Sequence, residues 1–258
     1  MTQAEFLTAP ALAGLPHGFF TRRGGVSAGS FGALNTSLNG RDDPALVREN
    51  RRRCALALGV APAALFGLHQ VHGREVAVLD AAGWPEDARP QADGVVTNRP
   101  GAALGLVTAD CGPVLFADAT AGVIGACHAG WRGAVLGVCE ATVEAMQRLG
   151  AEAGRITAVL GPCIRQPSYE VGADLRAEVL AVNEADARFL APGVREGHWQ
   201  FDMAGYILAR LRALGLASAN DIGADTLADT ERFFSYRRAT LAGKGPVGHQ
   251  LSAIALPG

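Results

Sequence analysis

The sequence has no excess of either charge: 23 basic residues stand against 25 acidic ones, a net of -2. Without a basic surplus there is no electrostatic case for nucleic acid or an anionic membrane as partner. Uninterrupted apolar spans are missing as well. The most apolar region, Gly101 to Trp131, is broken by Asp110 and Asp118 and is not expected to cross a bilayer. The opening Met1-Thr2-Gln3-Ala4-Glu5 has no basic stretch ahead of an apolar one, which speaks against a signal peptide. Cysteine is sparse. Cys54, Cys111, Cys127, Cys139 and Cys163 are odd in number and irregularly spaced, unlike a disulfide framework, so a reducing cytoplasm is the expected compartment. Repeats, low-complexity tracts and linkers are absent. The one basic run, Arg51-Arg52-Arg53, falls within an expected helix and reads as a solvated face.

What is present is an ordinary globular composition, 49% apolar and 19% charged over 258 residues, enough for a real core. A strand is expected at 18–22 and a turn at 24–27. Asp42-Asp43-Pro44 supplies a helix cap and an early proline, predicting a helix to about Leu58 that stops at Gly59. Short apolar runs at 75–79, 94–97, 104–108, 114–117, 123–127 and 156–160 read as buried strands. Helical spacing predicts one helix over 134–149 closed by Gly150, with others at 173–183 and, capped by Asp202, 203–214. Strands and helices mixed in this way predict an α/β class with a mixed sheet.

Three segments carry chemistry: His69-Gln70-Val71-His72-Gly73, Thr108-Ala109-Asp110-Cys111-Gly112 and Cys127-His128-Ala129-Gly130-Trp131-Arg132-Gly133. Each sets a His or Cys beside glycine at the edge of an expected strand. His72, Cys111 and His128 form a candidate zinc or copper triad. Three protein ligands leave a fourth position open, as in catalytic rather than structural zinc sites. Of the pair His69 and His72, one ligand is expected rather than two. Gly130 and Gly133 permit close backbone approach ahead of a helix, and Arg132 adds a guanidinium, which together suit phosphate. Cys127 and Cys139 read as core thiols and Cys54 as helix packing. Tyr236-Arg237-Arg238 reads either as a pocket wall or as a strand with exposed arginines. Asn35 reads as a turn residue or a polar group lining the site.

These segments, with Leu160-Gly161-Pro162-Cys163-Ile164, Arg232-Phe233-Phe234-Ser235-Tyr236-Arg237-Arg238 and the early Phe19–Ser27 and Asp42–Asn50 stretches, resemble the YfiH-like family. That family is also called the laccase-domain or polyphenol oxidase family. The resemblance runs from about residue 18 to 256. It implies one domain of layered mixed sheets flanked by helices, spanning 1–258, with metal ligands at His72, Cys111 and His128. It also implies a zinc-associated purine nucleoside phosphorylase that deaminates adenosine and cleaves methylthioadenosine. The expected partners are then purine nucleosides and phosphate; the oligomeric state is left open, with a monomer compatible. His249 is a departure, since the family often carries arginine there.

In that reading phosphate at Arg132 attacks the ribose anomeric carbon through an oxocarbenium-like transition state, and Asp110 is the expected acid for the leaving purine. Zinc, which brings bound water to a pKa of about 7, would serve deamination. Two alternatives compete. Copper oxidase chemistry fits the ligand types, but six histidines are few for a multi-copper cluster. A cysteine hydrolase, with Cys111 as nucleophile and His128 as base, would suit the peptidoglycan-precursor role attributed to some members of the family.

Overall fold

The computed structural model describes residues 3–258; Met1 and Thr2, part of the opening segment read for a leader, lie outside the described residues. Two sheets face each other at its centre. The first has five strands in the order Phe6–Leu7, His17–Phe20, Gln250–Ala255, Ala103–Thr108 and Leu65–Phe66. The second has six, in the order Ser218–Asp221, Thr157–Leu160, Gly112–Asp118, Val123–Ala129, Gly94–Thr97 and Val76–Val78. Both mix parallel and antiparallel pairs. A small antiparallel sheet of Glu170–Val171, Trp199–Phe201 and Leu190–Pro192 stands apart in the topology.

Period-two alternation builds the layers. Leu115, Ala117, Ile124 and Ala126 join Leu104, Leu106 and Ile254 of the facing sheet in one apolar cluster. The opposite faces of the same strands, through Val114, Phe116, Val123 and Cys127, pack on helices Val138–Arg148 and Met203–Ala213 by way of Val143, Met146, Tyr206 and Ile207. On the other side, Leu251 and Ala253 meet Cys54 and Leu58 of the Pro44–Ala57 helix region. The result is a helix, sheet, sheet, helix sandwich. Central strands buried on both faces explain the near-continuous apolar runs. The α/β class and layered mixed sheets flanked by helices are as expected.

Local signals fared unevenly. Asp43 caps the first helix by accepting from Ala45 N–H at 2.8 Å, and Gly59 follows its end at a φ of 74°. Asp202 caps Met203–Ala213 through Gly205 N–H at 2.8 Å. The single helix expected over 134–149 is two, Trp131–Leu136 and Val138–Arg148. Gly137 between them has a φ of 91°, a left-handed value that breaks the helical ladder and turns the chain. Tyr236–Leu241 is a short helix capped by Ser235, not a strand. The arginine run is split as well: Arg52 and Arg53 pair with Glu49, whereas Arg51 makes no ion pair among the described residues. No helix is long and apolar enough to cross a membrane among the described residues.

Candidate metal centre

Two chain crossings between the large sheets build the centre. Ala103–Thr108 belongs to one sheet and Gly112–Asp118 to the other, so Cys111 sits on the corner between them. Asp110 makes that corner with a φ of 94°, a conformation costly for a residue other than glycine. Three donors hold it there: Thr226 Oγ1 at 2.7 Å, Ser235 Oγ at 3.0 Å and Arg237 N–H at 2.6 Å. The second crossing runs from Leu65–Phe66 to Val76–Val78 and carries His72, also left-handed at a φ of 61°. His128 comes from Val123–Ala129, where it pairs in register with Pro113, two residues beyond Cys111. The ligand atoms of His72, Cys111 and His128 lie within 4.8 Å of one another. The His72 and His128 rings meet edge to face at 4.7 Å.

Asp93, which the sequence reading passed over, organises this cluster. Its Oδ1 lies 2.7 Å from His128 Nδ1, and its carbonyl accepts His128 N–H at 2.7 Å. Its Oδ2 accepts from Val71 N–H at 3.1 Å and Gly73 N–H at 2.7 Å, the two neighbours of His72. One buried carboxylate therefore fixes two of the three candidate ligands. Holding Nδ1 leaves the other ring nitrogen of His128 for a metal or for Cys111. Gln70 completes the loop's anchorage by bonding Val107 N–H and carbonyl at 2.9 and 2.8 Å. Gly130 is a steric requirement. A Cβ there would stand 2.9 Å from Cys111 Sγ and 3.3 Å from His72 Cδ2.

Charge follows geometry. Burial works against the Cys111 thiolate, but the His128 and His72 imidazoles outweigh it and bring its pKa down to about 6. Burial likewise opposes protonated His128, and the Cys111 thiolate with Asp93 overcomes it, raising His128 to about 10. Burial and then the fields of His128 and His72 push His249 the other way, down to about 4, and its buried Nδ1 has no hydrogen-bond partner among the described residues. The other cysteines are buried, with Cys54 and Cys163 pushed up to about 12 by that burial. In metal-free protein, iodoacetamide should therefore modify Cys111 alone, with a pH midpoint near 6. Zinc should protect it. A midpoint near the ordinary thiol value of about 8.5 would contradict the ion pair.

The remaining candidates are scattered around this cluster. His69 is exposed, bridges to Gln91 through its backbone and is not part of the trio. His72→Ala should thus lose most bound zinc on dialysis, while His69→Ala keeps it; equal losses would place His69 among the ligands. Arg132 is exposed, stacks over Trp131 at 4.6 Å and makes no hydrogen bond or ion pair among the described residues. Arg237 stacks over Tyr169 at 5.1 Å and donates to Glu170 carbonyl at 2.6 Å. Arg238 spends its donors on the carbonyls of Thr226, Leu227 and Phe233. Tyr169, also missed in the sequence, is pushed up first by burial and then by the field of Cys111, with Arg237 and Arg132 opposing. Asn35 bonds Asp42, Ser37 and His249 and so braces loops.

A Streptomyces griseus protein named purine nucleoside phosphorylase ORF3 is 45% identical over 242 residues, 92% of this chain and 94% of its own. A Neisseria meningitidis crystal structure superposes with a TM-score of 0.87 at 31% identity, covering 100% of both chains. The Bacillus licheniformis hypothetical protein YfiH gives a TM-score of 0.86 at 28% identity, over 93% of this chain and 92% of that one. The family model described as multi-copper polyphenol oxidoreductase laccase matches residues 16–257, and the chain belongs to that family.

Proposed function

We propose that this chain is a zinc-associated purine nucleoside phosphorylase. It would cleave adenosine, inosine, guanosine and methylthioadenosine with phosphate, and deaminate adenosine as a side reaction. The observation that carries the reading is the trio of His72, Cys111 and His128, with no fourth His, Cys, Asp or Glu grouped with them among the described residues. Three protein donors leave room for substrate. The relative's printed name supplies the substrate class. A thiolate with two imidazoles suits zinc, and copper is the alternative. Zinc held there would supply Lewis-acid stabilisation of developing negative charge. The five cysteines are free, consistent with a reducing cytoplasm.

The chain's own groups would do the rest. Arg132 would grip phosphate as a phosphate oxygen bonds to the anomeric carbon and the glycosidic C–N bond breaks toward the purine. The helix behind Arg132 has only six residues, so the guanidinium rather than the dipole carries this assignment. Asp110 was the expected acid. Burial raises its carboxyl, yet both oxygens are engaged by its three donors. We therefore assign it to holding the corner that presents Cys111 and to anchoring Arg237.

Purified chain incubated with adenosine or inosine should release free base and ribose-1-phosphate only when phosphate is present, in proportion to zinc content. Zinc-loaded protein that releases no base from any purine nucleoside would refute the reading. Arg132→Lys should raise the phosphate KM about 10-fold or more, the worth of one charge-assisted hydrogen bond, with zinc retained. Deamination needs no phosphate and should survive better. Equal loss of both reactions would move the anion site toward Arg237.

A second reading has one observation in its favour. His128 lies beside Cys111 and bonds Asp93, as a base between nucleophile and orienting carboxylate would, which suits a cysteine hydrolase. A thiolate bound to zinc is unavailable for attack. Activity rising with zinc occupancy supports the first reading, and activity falling supports the second.

A further inference from the structure

A cleft of about 340 Å³ lies between the Pro44–Ala57 helix and the segments around Phe66 and Trp84, and no member of the metal trio lines it. Four arginines line it, Arg48, Arg51, Arg52 and Arg89, against one acidic residue, Glu86. Arg48 pairs with Glu86 at 2.9 Å, and Arg52 pairs with Glu49 at 2.7 Å. The other two have no carboxylate partner among the described residues. Arg51 makes one long hydrogen bond, to Thr36 carbonyl at 3.3 Å. Arg89 bonds the carbonyls of Glu86 and Leu68 and the Asn39 side chain, all neutral acceptors. Both arginines also line the smaller recess that continues the cleft. Burial, with Arg89 adding to it and Cys54 and Glu86 opposing, draws the Arg51 guanidinium down to about 10.

Two neighbouring cations that share only the field of Glu86, itself paired to Arg48, carry excess positive charge, and a concave wall focuses that field on whatever enters. An anion answers both. The lining also holds an aromatic pair: Phe66 and Trp84 meet edge to face at 5.9 Å, with Arg99 stacked over Phe66 at 5.5 Å. The Trp84 indole N–H is spent on Gly67 carbonyl at 2.9 Å, which fixes that ring in place. Pockets for small organic ligands run from about 300 to 1,000 Å³. We propose that this cleft is a second binding site, for a phosphate-bearing aromatic ligand of nucleoside-monophosphate size, with the phosphate between Arg51 and Arg89 and the base against Phe66 and Trp84. The site is independent of the reaction assigned to the metal centre.

Fluorine NMR of the full chain labelled with fluorotryptophan reads this directly, with the Trp84 resonance assigned by Trp84→Phe. Adenosine monophosphate should shift that resonance saturably, at a Kd at least about 10-fold below that of inorganic phosphate, while adenosine leaves it in place. The shift should persist in Cys111→Ser, which separates this site from the metal centre. Arg51→Met should weaken the nucleotide at least about 10-fold while raising Tm, because it removes a buried charge that has no ion-pair partner among the described residues. Arg89→Met should weaken it similarly and tests the same pairing should Arg51→Met fail to fold. The proposal is overturned by no Trp84 shift at millimolar nucleotide, by phosphate or adenosine binding as well as the nucleotide, by a shift lost in Cys111→Ser, or by affinity that survives both arginine substitutions.

Discussion

Gly130→Ala should empty the metal centre without removing a ligand. The backbone at Gly130 has a φ of -64° that alanine adopts freely, so the whole effect comes from the added methyl group. That methyl would sit 2.9 Å from Cys111 Sγ, well inside van der Waals contact, and 3.3 Å from His72 Cδ2. Cys111 has little freedom to retreat, because Asp110 before it is pinned by three hydrogen bonds. His72 is tied through its neighbours to Asp93. Displacing the sulfur by about 1 Å should cost roughly 100-fold in activity, with zinc affinity falling alongside. Overpacking should cost stability about 1–3 kcal/mol, too little to unfold a domain of this size. Metal content and activity measured on the folded variant decide the matter; zinc bound at the wild-type level would show that the three ligands lie elsewhere.

Asp93→Ala should be the more damaging change for stability. It leaves the Val71 and Gly73 N–H groups without their acceptor and removes the anion beside His128. Breaking a buried pair by deleting one partner costs about 3–5 kcal/mol, or roughly 10 °C in Tm for a chain of this length. Zinc affinity should fall about 10–100-fold, the usual effect of losing the carboxylate behind a histidine ligand. The sign with pH is fixed. Burial opposes the charge on Asp93, but His128 and the loop N–H groups hold its carboxyl below the usual range. Its contribution is therefore present above the ordinary carboxylate pKa of about 4 and is lost as pH falls through the lower folded value. The Tm gap between wild type and variant should close in acid. Asp93→Asn keeps the shape and removes the charge; a Tm and zinc affinity equal to wild type in that variant would show the carboxylate's charge to be dispensable.

The candidate ligands were legible because their residue types are rare and their neighbours are glycines at strand edges. His72, Cys111 and His128 needed no coordinates to be named. Asp93 did. In the sequence it is one acid before the apolar run Gly94–Thr97, indistinguishable from one that merely braces a turn, as the strand-end Asp118 does for Thr120 and Ala121. Its role depends on facing His128 across 35 positions of chain, a separation that local pattern does not encode. Tyr169 was hidden for the same reason. Its neighbours Arg132 and Arg237 come from helices 37 and 68 residues away.

The sequence by itself determined the α/β class, the buried central strands, the capped helices at Pro44 and Met203 and the choice of the three candidate metal donors. These follow from periodicity, cap chemistry and residue type, all local properties of the chain. Only the tertiary structure decided that the C-terminal strand Gln250–Ala255 lies inside a sheet, between the strands His17–Phe20 and Ala103–Thr108. It alone set Arg51 and Arg52 along one cleft while giving Glu49 as ion-pair partner to Arg52 and not to Arg51. It alone brought two crossings between sheets to one end of the sandwich, where Asp93 joins His72 to His128 and Gly130 makes room for Cys111. Strand order, register and the meeting of distant loops are long-range choices. They are settled by burying two sheets against each other, and no window of sequence contains both sides of that contact.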